Sequence, residues 1–209
     1  RGSVLLRRAQ YRSADSATET APIARAIVAG KLHNTRWLLA RTARDSASEV
    51  EAAGLRTTAD YLAFLLRELE RAPEDSDIIR GLEGRAAALH FEVFPLHLRP
   101  AARAAFPFDG RNRRPPRDAV NCLLSFLYAL LRHDCVSALT AAGLDPFVGF
   151  LHTDRAGRES LALDLMEEFR PWADRLALTL LNRGALKPAD FIAREGGACE
   201  LADRAHRPR

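Results

Sequence analysis

The sequence predicts an all-α fold, a multi-helix lobe around a central buried helix pair, and three observations carry that reading. Leu and Ala dominate a composition that is 47% apolar, while β-branched residues are few, a bias toward helix over strand. Apolar residues return at three- and four-residue spacing over long stretches. No useful length of sequence alternates apolar and polar residues, and no segment repeats. At 209 residues the chain is long enough to hide about 70% of its unfolded surface in one large core.

The elements follow in order. Val4 to Tyr11 is a short helical piece carrying Arg7, Arg8 and Arg12, and polar Ser13–Thr20 reads as a turn. Thr20 to about Ala43 is a long helix with Ile23, Ile27, Trp37 and Leu38 on its apolar side and Gly30 as an interruption. Thr58–Arg71 repeats Leu62, Leu65, Leu66 and Leu69 at helical spacing until Ala72-Pro73-Glu74-Asp75 breaks it. Ser76 or Asp77 can cap the next helix, which runs to Pro95. Arg99–Arg117 is a Pro/Arg-rich connection. Asp118 then caps a strongly apolar helix from Ala119 to about Ala142, ended by Gly143. A loop with Asp145-Pro146 and His152 leads to Ser160, where the last long helix begins, to end near Gly184. Residues 1–191 form one helical domain, and 192–209 a short polar tail without a core-forming pattern.

Formal charge is +4 and the pI about 9.3, and of 31 basic residues only Lys31 and Lys187 are lysine. A high-GC codon bias explains such arginine excess as well as selection does. Guanidinium groups pair with phosphates in bidentate fashion, so nucleic acid is the favoured partner class. The three cysteines, Cys122, Cys135 and Cys199, show no CxxC spacing, which argues against a disulfide framework or zinc knuckle. No uninterrupted apolar run reaches about 18 residues and the N-terminus does not read as a signal peptide, so a cytoplasmic, reducing compartment is expected.

Three stretches place a potential metal ligand in an apolar context: Gly81-Leu82-Glu83-Gly84, Gly149-Phe150-Leu151-His152 and Leu163-Asp164-Leu165-Met166-Glu167-Glu168. On the last helix, with Leu161 at the origin, Trp172, Leu165, Leu176 and Phe169 fall between about 20° and 80°. Glu167, Asp164 and Glu168 share the wedge from about 240° to 340°, which faces either solvent or a site. Glu83 has apolar neighbours in Ile79, Leu82 and Ala86, and Gly81 and Gly84 permit close approach; a salt bridge to Arg80 or Arg85 is the alternative. His152 is delivered to a loop by an apolar segment, and a hydrogen-bonded structural histidine would fit that as well. Two carboxylates and a neutral imidazole could share one divalent cation and so offset the cost of burying charge. The other histidines (His33, His90, His97, His133, His206) have no comparable partners. No ExxH pair exists, against a di-iron bundle. Arg111-Asn112-Arg113-Arg114-Pro115-Pro116-Arg117 puts four cations in seven residues, and the proline pair is expected to hold them extended along a phosphate ladder.

Together these stretches resemble the CRISPR-associated adaptation endonuclease, the integrase subunit that inserts spacers into CRISPR arrays. The resemblance spans nearly the whole chain. It includes Val4-Leu5-Leu6-Arg7-Arg8-Ala9-Gln10-Tyr11-Arg12, Ile23 to Lys31, Gly81 to Gly84, Gly110 to Asp118 with Asn121 to Tyr128, Gly149 to His152, and Ser160 to Pro171. It implies a divalent metal, Mg²⁺ or Mn²⁺, on Glu83, His152 and Glu167, with Asp164 as a supporting carboxylate of the catalytic set. It also implies DNA contact by Arg111, Arg113, Arg114 and Arg117. The implied chemistry is phosphodiester cleavage and transesterification by a 3′-hydroxyl, with a homodimer and a small ferredoxin-like adaptation protein as partners. The family's N-terminal β-rich domain is absent from this stretch, which begins at the helical lobe and stops soon after Gly196-Gly197-Ala198; a truncated catalytic lobe is the expectation. Two other readings compete: a catalytically inactive, arginine-rich DNA-binding fragment, and a degenerate fragment with uncovered apolar surface.

Overall fold

A computed structural model describes residues 4–202. Helices α1 (Val4–Ala14), α2 (Ala17–Asp45), α3 (Glu49–Arg71) and α4 (Ser76–Glu92) are followed by a 3₁₀ turn over Phe94–His97 and the short α5 (Pro100–Ala105). The long helices α6 (Ala119–Ala142) and α7 (Ser160–Asn182) follow, and a second 3₁₀ turn, Pro188–Asp190, leads into strands β1 (Phe191–Ala193) and β2 (Cys199–Leu201). Helix α7 lies between α2 and α6, and α3 and α4 pack on the other side of α2. One apolar cluster joins α2, α3 and α4 through Val28, Leu32, Leu39, Leu55, Leu62, Leu65, Leu69 and Ile79. A second joins α6 and α7 to the Phe94 turn through Leu123, Leu124, Leu127, Leu178 and Leu181. The all-α expectation holds, with its central helices where the apolar patterns put them.

Boundaries move where capping chemistry or a short apolar repeat was missed. Helix α3 starts well before Thr58, because the Ser48 side chain accepts from the Glu51 amide and buried Ala52 and Leu55 continue the Leu62 stripe backward. Helix α4 is capped by Asp75, whose Oδ1 accepts from the Asp77 amide at 2.7 Å, not by Ser76 or Asp77. Only Asp15 and Ser16 separate α1 from α2, so most of the expected turn at 13–20 is helical. Asp118 and Gly143 bound α6 as expected, Gly143 taking the left-handed conformation at φ 87°. By length and composition α6 could cross a membrane, yet here it supplies core, with Val120, Cys122, Leu123, Leu124 and Leu127 buried.

The expected polar tail is in part a hairpin. Strands β1 and β2 pair antiparallel with Phe191 opposite Leu201, and Gly196 and Gly197, both at positive φ, make the turn. The hairpin docks on the start of α6: the Cys199 amide donates to the Pro116 carbonyl at 2.7 Å, and Phe191 meets Phe106 edge-on. Three-residue strands are too short for an alternating pattern to register in sequence. Residues 203–209, the remainder of the expected tail, lie outside the described residues. All three cysteines are free and buried, and burial beside Cys199 pushes the Cys122 thiol up to about 12.

Candidate catalytic centre

Helix α7 turns its acidic wedge inward. Asp164 and Glu167 are 0% and 3% exposed, while Glu168 is exposed. Of the two outcomes left open for that wedge, solvent or a site, burial is the one found, and three of the apolar side chains at 20–80°, Phe169, Trp172 and Leu176, are half-exposed. Trp172 stacks on Trp37 of α2, and Arg175 covers both rings. A carboxylate survives burial only if every lone pair is used or a cation stands beside it.

Asp164 meets the first condition. Its Oδ2 accepts from the amides of Phe150 and Leu151 at 2.6 and 2.9 Å. Its Oδ1 accepts from the His152 amide at 2.9 Å and from His152 Nδ1 at 2.7 Å. The carboxylate thus pins three consecutive loop residues. Gly149 makes this approach possible, since a Cβ there would lie 2.8 Å from Asp164 Oδ2 and from Ser160 Cβ. A carboxylate can only accept, so His152 donates from Nδ1 and turns Nε2 to the other side of the ring.

Glu167 meets the second condition. Its Oε2 receives the Lys31 ammonium of α2 at 2.6 Å, and its Oε1 receives Arg170 Nε at 2.9 Å. The same ammonium bonds Glu83 Oε1 on α4. His152 Nε2 stands 4.0 Å from Glu167 Oε1. Burial pushes the Glu167 carboxyl up, but the charges of Lys31 and Arg170, the Lys31 hydrogen bond and His152 outweigh it and hold it at about 2. Neither arginine expected as the alternative partner of Glu83 is used there: Arg80 pairs with Asp77 and donates to the Leu151 carbonyl at 3.0 Å, and Arg85 lies over Tyr61. Among the described residues no helix approaches Gly81 or Gly84; both face open space.

A polar layer lies beneath. Arg170 covers the ring of Tyr128, whose hydroxyl donates to buried Asp174, and Asp174 also accepts from His90 Nε2 at 3.2 Å. Burial and then the Asp174 charge raise the Tyr128 phenol well above its ordinary value, so it stays a donor. His90 and His97 therefore do have partners, contrary to the sequence reading: His97 Nδ1 meets Thr42 Oγ1 at 2.6 Å. Their partners lie far away in sequence, on α7 and α2, where spacing rules do not reach. His33 and His133 are exposed, and His206 lies outside the described residues.

The arginine run curls instead of extending. Asn112 organises it, taking the Arg117 amide on Oδ1 at 2.8 Å and donating its own amide to Asn121 Oδ1 at 3.0 Å. Arg111 is committed inside the fold, to Asn121 Oδ1 at 2.7 Å and Ser125 Oγ at 3.2 Å and over the Tyr128 ring. Arg113, Arg114 and Arg117 are exposed, and Arg113 lines a groove with Phe91, Glu92 and Phe108.

Glu83, His152 and Glu167, separated widely in sequence, are thus brought to one place by α4, a loop and α7, and Asp164 stands behind His152. Lys31 and Arg170 belong to the same cluster but were not singled out from sequence. The signal available was one of only two lysines in an arginine-rich chain, directly after Gly30. Among the described residues no three His, Cys, Asp or Glu side chains stand close enough to cage a metal as they are.

The helical arrangement is shared with solved structures of two kinds. It superposes on a CAS1 protein from Thermotoga maritima with a TM-score of 0.82 at 27% identity, covering 98% of this chain and 60% of that one. It also superposes on a casposase bound to integration product, TM-score 0.78 at 25% identity, covering 95% and 56%. The fold is therefore that of the helical lobe common to these proteins. The chain belongs to the CRISPR associated protein Cas1 family, whose family model matches residues 1–208. Curated relatives agree: it is 50% identical over 208 residues to CRISPR-associated endonuclease Cas1 1 of Chlorobaculum tepidum. It is 49% identical over 210 residues to CRISPR-associated endonuclease Cas1 2 of Rhodospirillum rubrum. The match takes in 99% of this chain but 60% of each relative, so the chain spans three-fifths of the curated relatives' length.

Proposed function

We propose that this chain is the catalytic lobe of a CRISPR-adaptation nuclease and integrase that cleaves and transesterifies DNA phosphodiesters with Mg²⁺ or Mn²⁺. The observation that carries the reading is the meeting of Glu83 and Glu167 on one cation, the Lys31 ammonium, with His152 Nε2 4.0 Å from Glu167. Oxygen-rich sites with one imidazole suit these hard divalent ions, and an ammonium held between two carboxylates is a stand-in for one. The residues present fit the group: Glu83, Glu167 and His152 would hold it. When bound, such an ion supplies Lewis acidity to a phosphate oxygen and lowers the pKa of an attacking hydroxyl.

The remaining work falls to the chain. Asp164 fixes the tautomer and aim of His152. Arg170 holds Glu167 against rotation. Exposed Arg113, Arg114 and Arg117 offer phosphate contacts near the groove; Arg111, turned inward, shapes their loop. With a DNA 3′-hydroxyl as nucleophile the reaction exchanges one P–O bond for another and needs no external energy source; with water it is cleavage. DNA, a second copy and a small ferredoxin-like adaptation protein are the proposed partners, in the cytoplasm. In support, solved structures of similar fold include a partial Cas6-RT-Cas1–Cas2 complex, TM-score 0.82 at 31% identity over 95% of this chain and 57% of that one.

The test is Mn²⁺-dependent nicking and strand transfer on branched DNA by Glu83→Gln, His152→Asn and Glu167→Gln, with circular dichroism to verify folding. All three folded variants are expected to be inactive, as is the unaltered protein with chelator. Full activity in the three variants would overturn the reading.

A further inference from the structure

Lys31 is the residue that neither the acidic wedge nor the histidine loop accounts for. Its side chain is 11% exposed, and its ammonium bonds carboxylates from two different helices, Glu83 on α4 and Glu167 on α7. With Arg170 on the other Glu167 oxygen, the two negative charges are matched by two positive ones. These two carboxylates are electrically matched as they stand. A divalent ion bonding the same oxygens at about 2.1 Å would have to occupy the ammonium's place, and two cations so close would repel.

We propose that Lys31 is a resident counter-ion that the divalent metal must expel, and that the freed ammonium then takes a phosphate oxygen of the arriving DNA. The inference rests on the metal reading above. Lys31 has a flexible four-carbon stem, three donors and no acceptor, so it can leave two carboxylates and meet a phosphate without moving α2. The absence of a ready three-ligand cage among the described residues has its cause here: Glu83 and Glu167 are spaced by an ammonium. A coupling follows. Metal entry frees the ammonium that DNA requires, and DNA gives the ammonium a new partner in place of the carboxylates, so each ligand strengthens the other's binding.

The composition supplies the experiment. Lys31 and Lys187 are the only lysines, and Lys187 is exposed, an internal reference for reductive methylation read by mass spectrometry. Without divalent ion, Lys31 is expected to react far more slowly than Lys187; saturating Mg²⁺ should speed Lys31 about tenfold and leave Lys187 unchanged. In parallel, Lys31→Met should bind Mn²⁺ about tenfold more tightly than the unaltered protein, and lose the gain in Mn²⁺ affinity that DNA produces. Should that variant fail to fold, the labelling of the unaltered protein decides alone. Mn²⁺ binding that leaves Lys31 labelling and Lys31→Met affinity unchanged overturns the expulsion while the metal reading stands. Absence of Mn²⁺ binding to either protein, with or without DNA, overturns both.

Discussion

Asp164 grips His152 twice, at the backbone amide and at ring Nδ1, 2.9 and 2.7 Å away, and is itself fully buried. The grip converts a loop histidine into a fixed one. It also explains why the α7 carboxylate nearest the loop is not free to act as a ligand: four donors converge on its two oxygens.

Asp164→Asn keeps the shape but turns an acceptor into a donor against a ring of donors. A loss of about 2–4 kcal/mol is expected, with His152 free to change tautomer. Chemical denaturation measures the first, and imidazole ¹⁵N shifts the second. An unchanged tautomer would show that the ring is held by something else.

Gly149 and Gly81 make a matched pair. A Cβ on Gly149 would press on Asp164 Oδ2 and on Ser160, including its backbone carbon at 2.9 Å, whereas a Cβ on Gly81 meets nothing within 4 Å. Gly149→Ala should therefore cost about 1–3 kcal/mol, while Gly81→Ala should gain about 0.5–1 kcal/mol from helix propensity. Urea midpoints of the two variants report both signs.

His97 makes stability pH-dependent. Its ring is buried, Nδ1 is bonded to Thr42 and Nε2 has no partner among the described residues, and desolvation first and then His90 hold its pKa well below 6.5. The unfolded chain takes up the proton near 6.5 and the folded chain does not, so stability falls as pH drops below that value. The slope from this one group is at most about 1.4 kcal/mol per pH unit. His97→Leu should flatten the profile of unfolding free energy between neutral and mildly acidic pH.

The arginine loop divides by exposure. Replacing Arg113, Arg114 and Arg117 together by Gln should reduce the slope of log K for duplex DNA against log salt by about 0.9 for each phosphate that is no longer neutralised, with little effect on folding. Arg111→Gln should instead lower the melting temperature, since it removes two internal hydrogen bonds and a cation held over Tyr128. Filter binding across a salt series and thermal melts separate the two effects.

The helices were legible because their apolar stripes are long: Leu62, Leu65, Leu66 and Leu69 announce α3, and Asp118 and Gly143 bracket α6. The orientation of α7 was not. The helix is apolar nearly all round, so the wheel leaves Asp164 and Glu167 facing either solvent or a site, and only the packing shows them buried while Phe169, Trp172 and Leu176 stay half-exposed. Glu83, His152 and Glu167 could be named as residues and linked by resemblance, but their meeting depends on tertiary packing. Lys31 escaped notice because a lysine in a helix reads as solvated surface until its two carboxylates arrive from α4 and α7. The hairpin escaped because its pairing is only three residues long.

Helix α4 carries Glu83 beside a vacant flank, for among the described residues nothing stands within 4 Å of where side chains at Gly81 and Gly84 would begin. Either glycine can therefore take a methyl group without displacing a described neighbour, which makes that side of the helix the place to attach a probe beside Glu83 without disturbing the packing that positions it.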